Sequence, residues 1–450
     1  MLEKNKCYEI KIIDLGDGGE GIGKIDNLTV FVHGGIPGDL LSTKIIKLKK
    51  QYAIGIVDSI IEASELRQIP ECPYTKCGGC QTQNINYKAQ LDLKKKLVED
   101  CMTRIGGLDV KVNDVLGMNE PISYRNKSQY PVRMVDGKLH LGFYKQRTHE
   151  VVNIDNCMVQ HPLVNKIMKS LRCHLENSDI KIYNEEKHRG ILRHIVTRIS
   201  FRTQDVMLIF VTNNNDEIPV LKDIGQKLVE EFPNIKSVIQ NINTSKGNRV
   251  MGYENITLLG EDKIMDYISD LSFEISPLSF LQVNPIQTEV LYNKALELAD
   301  INKEDQVIDI YCGIGTISLF LAEEAKKVVG VELIDVAIED AKKNAINNKL
   351  DNTEFFAGKA EVVIPDLYKK GYRADVIVVD PPRKGCEKQV LDTMLAMAPE
   401  KIVYVSCKPS TLARDLKILS EKYKVEEVQP VDLFPFTTHV ETVCKLKLLK

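Results

Sequence analysis

The 450-residue sequence lacks a long uninterrupted run of apolar residues. A membrane-spanning helix needs about 20 of them, and the charged start MLEKNKCYEIK has no apolar segment of the kind a secretory signal requires. We therefore expect a cytoplasmic protein with no membrane partner. With 43% hydrophobic and 27% charged residues, the composition is typical of a globular protein. The length predicts about two to four domains.

The sequence also lacks internal repeats and any strong bias of charge, since its formal net charge is only −3. A nucleic-acid-binding face would therefore have to be a local patch of basic residues. Such clusters lie at residues 44–50, 124–127, 144–147 and 187–194. Each is equally suited to contact phosphates or to form a solvated surface.

Eleven cysteines, an odd number spread over a long chain, do not indicate a disulfide framework. Their thiols are expected to be free, metal-bound or catalytic. Cys72, Cys77 and Cys80 follow a C-x4-C-x2-C pattern, and Cys157 is a candidate fourth ligand. Four thiolates suit an iron–sulfur cluster or a zinc ion, and the thiols could also be unligated. The spacing alone leaves these alternatives open.

Short β-rich runs separated by glycine-dense turns predict a small β-barrel over residues 1–61. The predicted strands are residues 8–14, 28–33, 40–48 and 52–61. Gly18, Gly19, Gly21 and Gly23 are interpreted as turn residues, because no helical pattern follows them as it would in a phosphate-binding loop.

Residues 62–270 predict a mixed α+β central domain. A helical pattern covers residues 87–105, and the dipeptide Asp136–Gly137 predicts a hairpin turn. From residue 305 onward, apolar strands alternate with helices, which is typical of a doubly wound parallel sheet. The third predicted domain, residues 271–450, is therefore Rossmann-like and α/β.

The first strand of this predicted sheet runs into a turn that contains Gly313 and Gly315, and a helix follows at once. Glycines at such a turn let the backbone approach a ligand closely. Glu332 ends the second strand and is placed to accept hydrogen bonds from a ribose. Ser318 stands where a dinucleotide fingerprint has its third glycine, so NAD is not favoured.

Two further segments follow later strands of the same sheet. "VIVVDPPRKG" places Asp380 and two prolines at a carboxyl edge, where open α/β sheets bind ligands. The prolines fix the backbone and remove two N–H donors, which leaves a rigid wall. "KIVYVSCKPST" places Cys407 at the same edge.

Six motifs in this order resemble the RNA 5-methyluridine methyltransferases, specifically the 23S rRNA (uracil-5-)-methyltransferases of the RumA/RlmCD type. The motifs are SFLQVN, DIYCGIGTISL, VVGVE, VVDPPRKG, VSCKPSTLARD and DLFPFTTHVETV. The N-terminal barrel resembles a TRAM domain and the cysteine segment resembles an iron–sulfur motif of that family. The likeness therefore covers nearly the whole chain.

The resemblance implies that Cys407 adds to carbon 6 of uracil, because carbon 5 is too weak a nucleophile until that addition makes it electron-rich. Glu441 matches the base that removes the proton from carbon 5. Lys408 and Arg414 are candidate cations for stabilising the thiolate, and Phe280 is a candidate for stacking on the base. The residues implied for binding S-adenosyl-L-methionine are Gln282, Tyr311, Gly313, Gly315, Glu332 and Asp380.

The same resemblance implies that Cys72, Cys77, Cys80 and Cys157 hold a [4Fe-4S] cluster, although the first spacing is one residue shorter than the family pattern. A transfer-RNA branch of the family generally lacks the barrel and the iron–sulfur motif, so 23S rRNA is the expected partner, at one uridine or two. A monomer is the default expectation. A transfer-RNA substrate, an amino-group methyltransferase and a non-catalytic RNA-binding assembly factor remain alternatives.

Overall fold

The N-terminal part of the chain forms a closed five-stranded barrel, as its glycine-punctuated β pattern predicts. The computed structural model describes residues 2–216 and 218–449. The barrel strands pair in the order β1-β2-β3-β5-β4 around a core that includes Ile10, Val30 and Leu41. Their bounds are β1 (Cys7–Leu15), β2 (Gly21–Ile25), β3 (Leu28–His33), β4 (Leu40–Leu48) and β5 (Tyr52–Glu62).

Strand β2 is the one barrel strand that the sequence did not predict. Gly21 and Gly23 belong to this strand rather than to a turn. A Cβ atom on Gly23 would collide with the Ile10 side chain, so the glycines allow two strands to approach closely inside a small barrel. Gly18 and Gly19 do lie in the preceding turn.

Helix α1 (Tyr87–Cys101) links the barrel to the rest of the chain. It begins after Asn86, whose side chain accepts a hydrogen bond from the Ala89 N–H at 2.9 Å, and it runs into a π-helical turn at Met102–Gly106. Its apolar face, with Val98 and Cys101, packs in the same core as the C-terminal sheet. We therefore infer that α1 belongs structurally with the third predicted domain.

The central region is built on one seven-stranded sheet with the order β12-β11-β10-β9-β6-β7-β8. The predicted hairpin is present, because Asp136 and Gly137 join β6 to β7 with φ values of 50° and 75°. The elements are β6 (Lys127–Val135), β7 (Lys138–Tyr144), β8 (Val151–Asn153), α2 (Pro162–Glu176), β9 (Leu192–Ile199), β10 (Val206–Thr212), α3 (Ile218–Glu231), β11 (Ile235–Ile242) and β12 (Glu254–Gly260).

A two-stranded hairpin, β13 (Ile264–Ile268) and β14 (Leu271–Ile275), precedes helix α4 (Pro285–Ala299). Ile264 and Phe273 of this hairpin are buried in one core with α4 and the C-terminal sheet. The predicted boundary at residues 270 and 271 falls in the hairpin turn. We infer that the third domain starts before β13.

The C-terminal sheet has the strand order β17-β16-β15-β18-β19-β21-β20. Its strands are parallel except β21, which runs antiparallel to both of its neighbours. The predicted doubly wound α/β fold is confirmed. The elements are β15 (Gln306–Ile310), α5 (Thr316–Ala322), β16 (Lys327–Glu332), α6 (Asp335–Asn347), β17 (Thr353–Ala357), α7 (Ala360–Lys369), β18 (Val376–Val379), α8 (Lys388–Met397), β19 (Lys401–Ser406), α9 (Pro409–Leu419), β20 (Tyr423–Val431) and β21 (Glu441–Leu448).

No helix in the described part of the chain combines the length and the apolar character needed to cross a membrane.

Candidate active site

The turn between β15 and α5 forms the floor of the candidate site. Tyr311, Gly313 and Gly315 have φ values of 72°, 57° and 83°, which lie in the left-handed region. A Cβ on Gly313 would project into open space, whereas one on Gly315 would lie 3.2 Å from the Ala341 Cβ. Gly313 therefore faces the cleft, and Gly315 lets the turn pack on α6.

The side chain of Glu332, at the end of β16, is oriented by backbone N–H groups. It accepts hydrogen bonds from Gly313 at 3.2 Å and from Ile334 at 3.1 Å. The glycine turn and the candidate ribose ligand are thus joined directly. A carboxylate held in this way keeps further lone pairs for ligand hydroxyls.

Cys407 and Glu441 lie at the same edge of the sheet. Strands β19 and β21 are antiparallel neighbours, and their ladder ends with Ser406 opposite Thr442. Cys407 follows β19 and Glu441 begins β21, so these two residues are the next opposing positions. Asp380 directly follows β18 on the other side of β19 and donates its N–H to the Ile310 carbonyl at 3.2 Å.

The charges of these side chains act on one another, as expected for residues at one edge of the sheet. Burial raises the pKa of Cys407 to about 11, and the carboxylates of Glu441 and Asp380 contribute to that rise. Burial and Asp380 raise the pKa of Glu441 to about 8, and burial raises the pKa of Asp380 to about 7. Glu441 is 2% exposed, so the interior favours its protonated form.

Arg383 is a cation that acts on this cluster, whereas the sequence analysis named Lys408 and Arg414 as candidates. The charge of Arg383 lowers the pKa of both Cys407 and Glu441 against the other effects. Arg414 instead binds Asp415, with 2.8 Å between its Nε and Oδ1, and Lys408 is exposed at the start of α9. The sequence places Arg383 directly after the Pro381–Pro382 pair at this edge of the sheet, but that position does not set the direction of its side chain.

Asp309 is a second group that sequence reasoning missed. It lies in β15 below the glycine turn, is fully buried, and accepts a hydrogen bond from Ser318 at 2.5 Å. Burial, with contributions from Asp380 and Glu332, raises its pKa to about 7. Asp309, Glu332, Asp380 and Glu441 together make the edge rich in acidic groups, with Arg383 as the cation acting on Cys407.

Gln282 and Phe280 lie in the segment that joins β14 to α4. Asn126 of the central region holds this segment by donating its side-chain N–H to the Gln282 carbonyl at 3.1 Å. Asn284 caps α4 and donates to the Leu433 carbonyl at 3.1 Å. Gln282 is 9% exposed, whereas Phe280 is 69% exposed and so is not a core residue.

The four cysteines of the predicted cluster are brought near one another. Burial raises the pKa of Cys80 to about 12, and the charges of Cys157, Cys77 and Cys72 add to that rise. Burial likewise raises the pKa of Cys157 to about 11. Within residues 2–216 and 218–449, the structure contains no group of three or more His, Cys, Asp or Glu side chains that could hold a metal ion.

The basic clusters have mixed surroundings. Tyr124 is buried and bonds to the Pro435 carbonyl at 3.1 Å, and burial, with Arg198 and Arg125, lowers the pKa of Lys127 to about 7. Arg147 pairs with Glu20 of the barrel. These groups support the fold, so they are not simply free phosphate contacts.

A seven-stranded sheet of this order, with a glycine turn after its first strand and an acidic residue at the end of its second, defines a Rossmann-like methyltransferase domain. The sequence profile of the family described as tRNA (Uracil-5-)-methyltransferase matches residues 86–448, and that of the TRAM domain matches residues 2–57. The chain belongs to the tRNA (uracil-5-)-methyltransferase family and is an RNA (uracil-5-)-methyltransferase.

Two relatives and one solved structure match this chain over nearly its full length. The chain is 51% identical to a protein of Clostridium tetani described as an RNA methyltransferase, over 98% of this chain and 96% of that protein. It is 48% identical to one of Bacillus cereus, over 100% and 98%. The Pyrococcus abyssi tRNA (uracil-54, C5)-methyltransferase in complex with S-adenosyl-L-homocysteine superposes with a TM-score of 0.78 at 28% identity, covering 98% of this chain and 100% of that one.

Proposed function

We propose that this enzyme transfers a methyl group from S-adenosyl-L-methionine to carbon 5 of uridine in 23S rRNA, through a covalent bond between Cys407 and carbon 6. The observation that carries the proposal is the placement of Cys407 opposite Glu441 at the end of paired strands. The pair lies at the carboxyl edge where open α/β sheets bind their ligands. The sequence motifs support carbon 5 of uracil as the acceptor.

Cys407 supplies the nucleophile. A pKa of about 11 means that the thiol is protonated in the free enzyme at neutral pH. The thiolate is the reactive form, so the site must favour ionisation when the ligands bind. The positive charge of the Arg383 guanidinium lowers the pKa of Cys407 and so stabilises the thiolate as it forms.

Glu441 supplies the base. Once carbon 5 carries the methyl group, its proton must leave before the bond between sulfur and carbon 6 can break. A carboxylate whose pKa is raised to about 8 is a stronger proton acceptor than an ordinary glutamate. The burial that raises this pKa thus prepares Glu441 for proton abstraction.

The residues proposed for S-adenosyl-L-methionine are Gln282, Tyr311, Gly313, Gly315, Glu332 and Asp380. They fit a cationic adenosyl compound, because Gly313 faces open space and burial raises the pKa of the Asp380 carboxyl to about 7 in the free protein. When bound, the sulfonium supplies an electrophilic methyl group. A positive charge would favour the ionised forms of Asp380 and Glu441.

The four cysteines are proposed to hold a [4Fe-4S] cluster with a structural role, since methyl transfer requires no electron. The mutual charge effects and burial of Cys72, Cys77, Cys80 and Cys157 support a shared binding site. Buried thiolates need a compensating positive charge, which a metal centre provides. The cluster would join the cysteine segment to the segment after β8 that carries Cys157, close to the β-bridge that Cys77 forms with Lys145 after β7.

A transfer-RNA substrate is the second candidate. The Pyrococcus abyssi tRNA enzyme matches 98% of this chain, including the region of the barrel. The presence of the barrel therefore does not by itself favour an rRNA substrate. The family profile is also named for tRNA. The motif resemblance to the 23S rRNA enzymes is the reason that rRNA comes first.

Mapping 5-methyluridine in a deletion strain tests the substrate. We expect one or two uridines of 23S rRNA to lose the methyl group, and a plasmid copy of the gene to restore it while a Cys407→Ala copy does not. Loss of 5-methyluridine from transfer RNA instead would establish the second candidate. Restoration by the Cys407→Ala copy would contradict the covalent mechanism and favour a non-catalytic assembly factor, whereas no loss of 5-methyluridine in the deletion strain would favour an amino-group methyltransferase.

A further inference from the structure

The loop formed by residues 432–440 determines where Glu441 lies. Strand β20 ends at Val431 and β21 begins at Glu441, and these two residues are paired at the base of the loop. Asp432 therefore directly follows Val431, the residue that pairs with the proposed base Glu441. Within the loop Phe436 has a φ of 64°, a conformation that a residue other than glycine keeps only when its surroundings hold it.

Helix α1, more than three hundred residues away in sequence, holds this loop from its buried side. Lys94 donates to Asp432 Oδ1 at 2.6 Å and to the Phe434 carbonyl at 3.0 Å. Asp432 Oδ2 accepts from the Tyr87 hydroxyl at 2.9 Å. The side chains of Lys94 and Asp432 are 4% and 0% exposed, so this is an interior ion pair.

A second contact from α1 holds the strained residue of the loop. Gln90 Oε1 accepts a hydrogen bond from the Phe436 N–H at 2.9 Å. The Phe436 carbonyl accepts from the backbone N–H groups of Gln81 and Thr82 at 2.8 and 3.0 Å. The loop is thus fixed at its start by Lys94 and at its middle by Gln90.

We propose that Lys94 is a positioning residue for the base Glu441, acting through Asp432 and the Phe434 carbonyl. The inference rests on the function proposed above. In the step concerned, the carbon 5 proton moves to the Glu441 carboxylate and the electrons of that C–H bond form the C5–C6 double bond. The bond between Cys407 sulfur and carbon 6 breaks, and its electrons return to sulfur as the thiolate. Displacement of Glu441 slows this step but not the preceding addition of Cys407.

The test measures covalent protein–RNA adduct in SDS gels, with the unmodified RNA that the unsubstituted enzyme methylates. In Lys94→Met we expect the adduct to accumulate at least about tenfold, while kcat and the KM for RNA fall together, because slowing a step that follows methyl transfer leaves kcat/KM nearly unchanged. Lys95→Met is the matched control, because Lys95 is next on the helix and pairs with an Asp114 side chain that is 96% exposed. It should leave adduct level and kcat unchanged.

Two further variants separate positioning from folding. Lys94→Met/Asp432→Asn removes both buried charges, and Gln90→Leu removes the contact to Phe436 without leaving a charge unpaired. Both should accumulate adduct even if Lys94→Met alone does not fold. Folded variants that lose activity without accumulating adduct, or that keep full activity, would overturn the inference. If the unsubstituted enzyme itself forms no adduct with RNA that contains 5-fluorouridine, the proposed function fails instead.

Discussion

Two regions of the molecule contain thiols whose pKa is raised by burial, and the charges around these thiols differ. At the sheet edge Cys407 lies among Glu441, Asp380 and the guanidinium of Arg383. In the cysteine segment the charges that raise the pKa of Cys80 are those of three other thiols. We propose that the first site ionises one thiol when ligands bind, whereas the second holds a permanent metal centre. Burial therefore raises thiol pKa values in both regions, and the neighbouring charges decide what the thiols do.

The largest expected effect concerns the metal centre. Cys157→Ala should lose essentially all iron from protein purified without oxygen, because one of the four proposed ligands is gone. Iron content per chain, measured by colorimetric assay, checks this. Cys173→Ala is the matched control, since Cys173 is an exposed cysteine on α2. Equal iron in both variants, or none in the unsubstituted protein, would remove the proposed difference between the two regions.

Removal of the cation at the sheet edge should have the next largest effect. Arg383→Ala is expected to reduce kcat/KM for methyl transfer by roughly 10²–10³-fold, a typical effect of losing one group that stabilises developing charge. The loss of Arg383 also raises the pKa of Cys407, so the deficit should shrink as pH increases. Lys384→Ala, at a neighbouring exposed residue, should change kcat/KM little. A deficit independent of pH would mean that Arg383 does not act on the thiol.

The buried carboxyl of Glu441 should cost the free protein stability at alkaline pH. Its pKa is raised in the folded state, so folding is most favoured below the ordinary glutamate value, and that contribution is lost as pH rises towards about 8. Glu441→Gln should therefore be more stable than the unsubstituted protein by roughly 5 kcal/mol at pH 8.5, with little difference at pH 4.5. Urea unfolding at the two pH values measures this, and a difference that does not depend on pH would contradict the assigned burial.

The smallest predicted effect concerns the charge of the methyl donor. Between pH 6 and pH 8, ionisation of Asp380 should tighten S-adenosyl-L-methionine binding by roughly tenfold, because its pKa is about 7 in the free protein. S-adenosyl-L-homocysteine has no sulfonium charge, so its affinity should change less. Isothermal titration calorimetry with both compounds provides the comparison. Parallel pH dependences would show that the acidic edge does not select a cation.

Local patterns of apolar residues and glycines in the sequence predicted much of the fold. Alternating β runs and glycine turns gave the barrel, and strands alternating with helices gave the doubly wound sheet. Strand β2 was missed because Gly21 and Gly23 are weak strand formers, and only their close approach to neighbouring residues in three dimensions explains them.

The sequence predicted only those site residues that lie within its recognisable motifs. Cys407, Glu332 and Asp380 follow predicted strands, so their common edge could be expected from topology. Arg383 was missed as the partner of Cys407, because the direction of a side chain after a proline pair is not set by sequence spacing. The contact between Lys94 and Asp432 joins residues separated by 338 positions. The helical and strand periodicities of a sequence predict only contacts between residues that are close along the chain.

The proposed mechanism depends most directly on the bond between Cys407 and carbon 6 of uracil. RNA in which the target uridine is replaced by 5-fluorouridine should form a stable adduct with the enzyme in the presence of S-adenosyl-L-methionine, because fluorine cannot leave carbon 5 as the proton does. Peptide mass spectrometry should locate the modified uridine on Cys407. An adduct on another residue, or methylation of ordinary uridine without any adduct to the fluorinated RNA, would contradict the account.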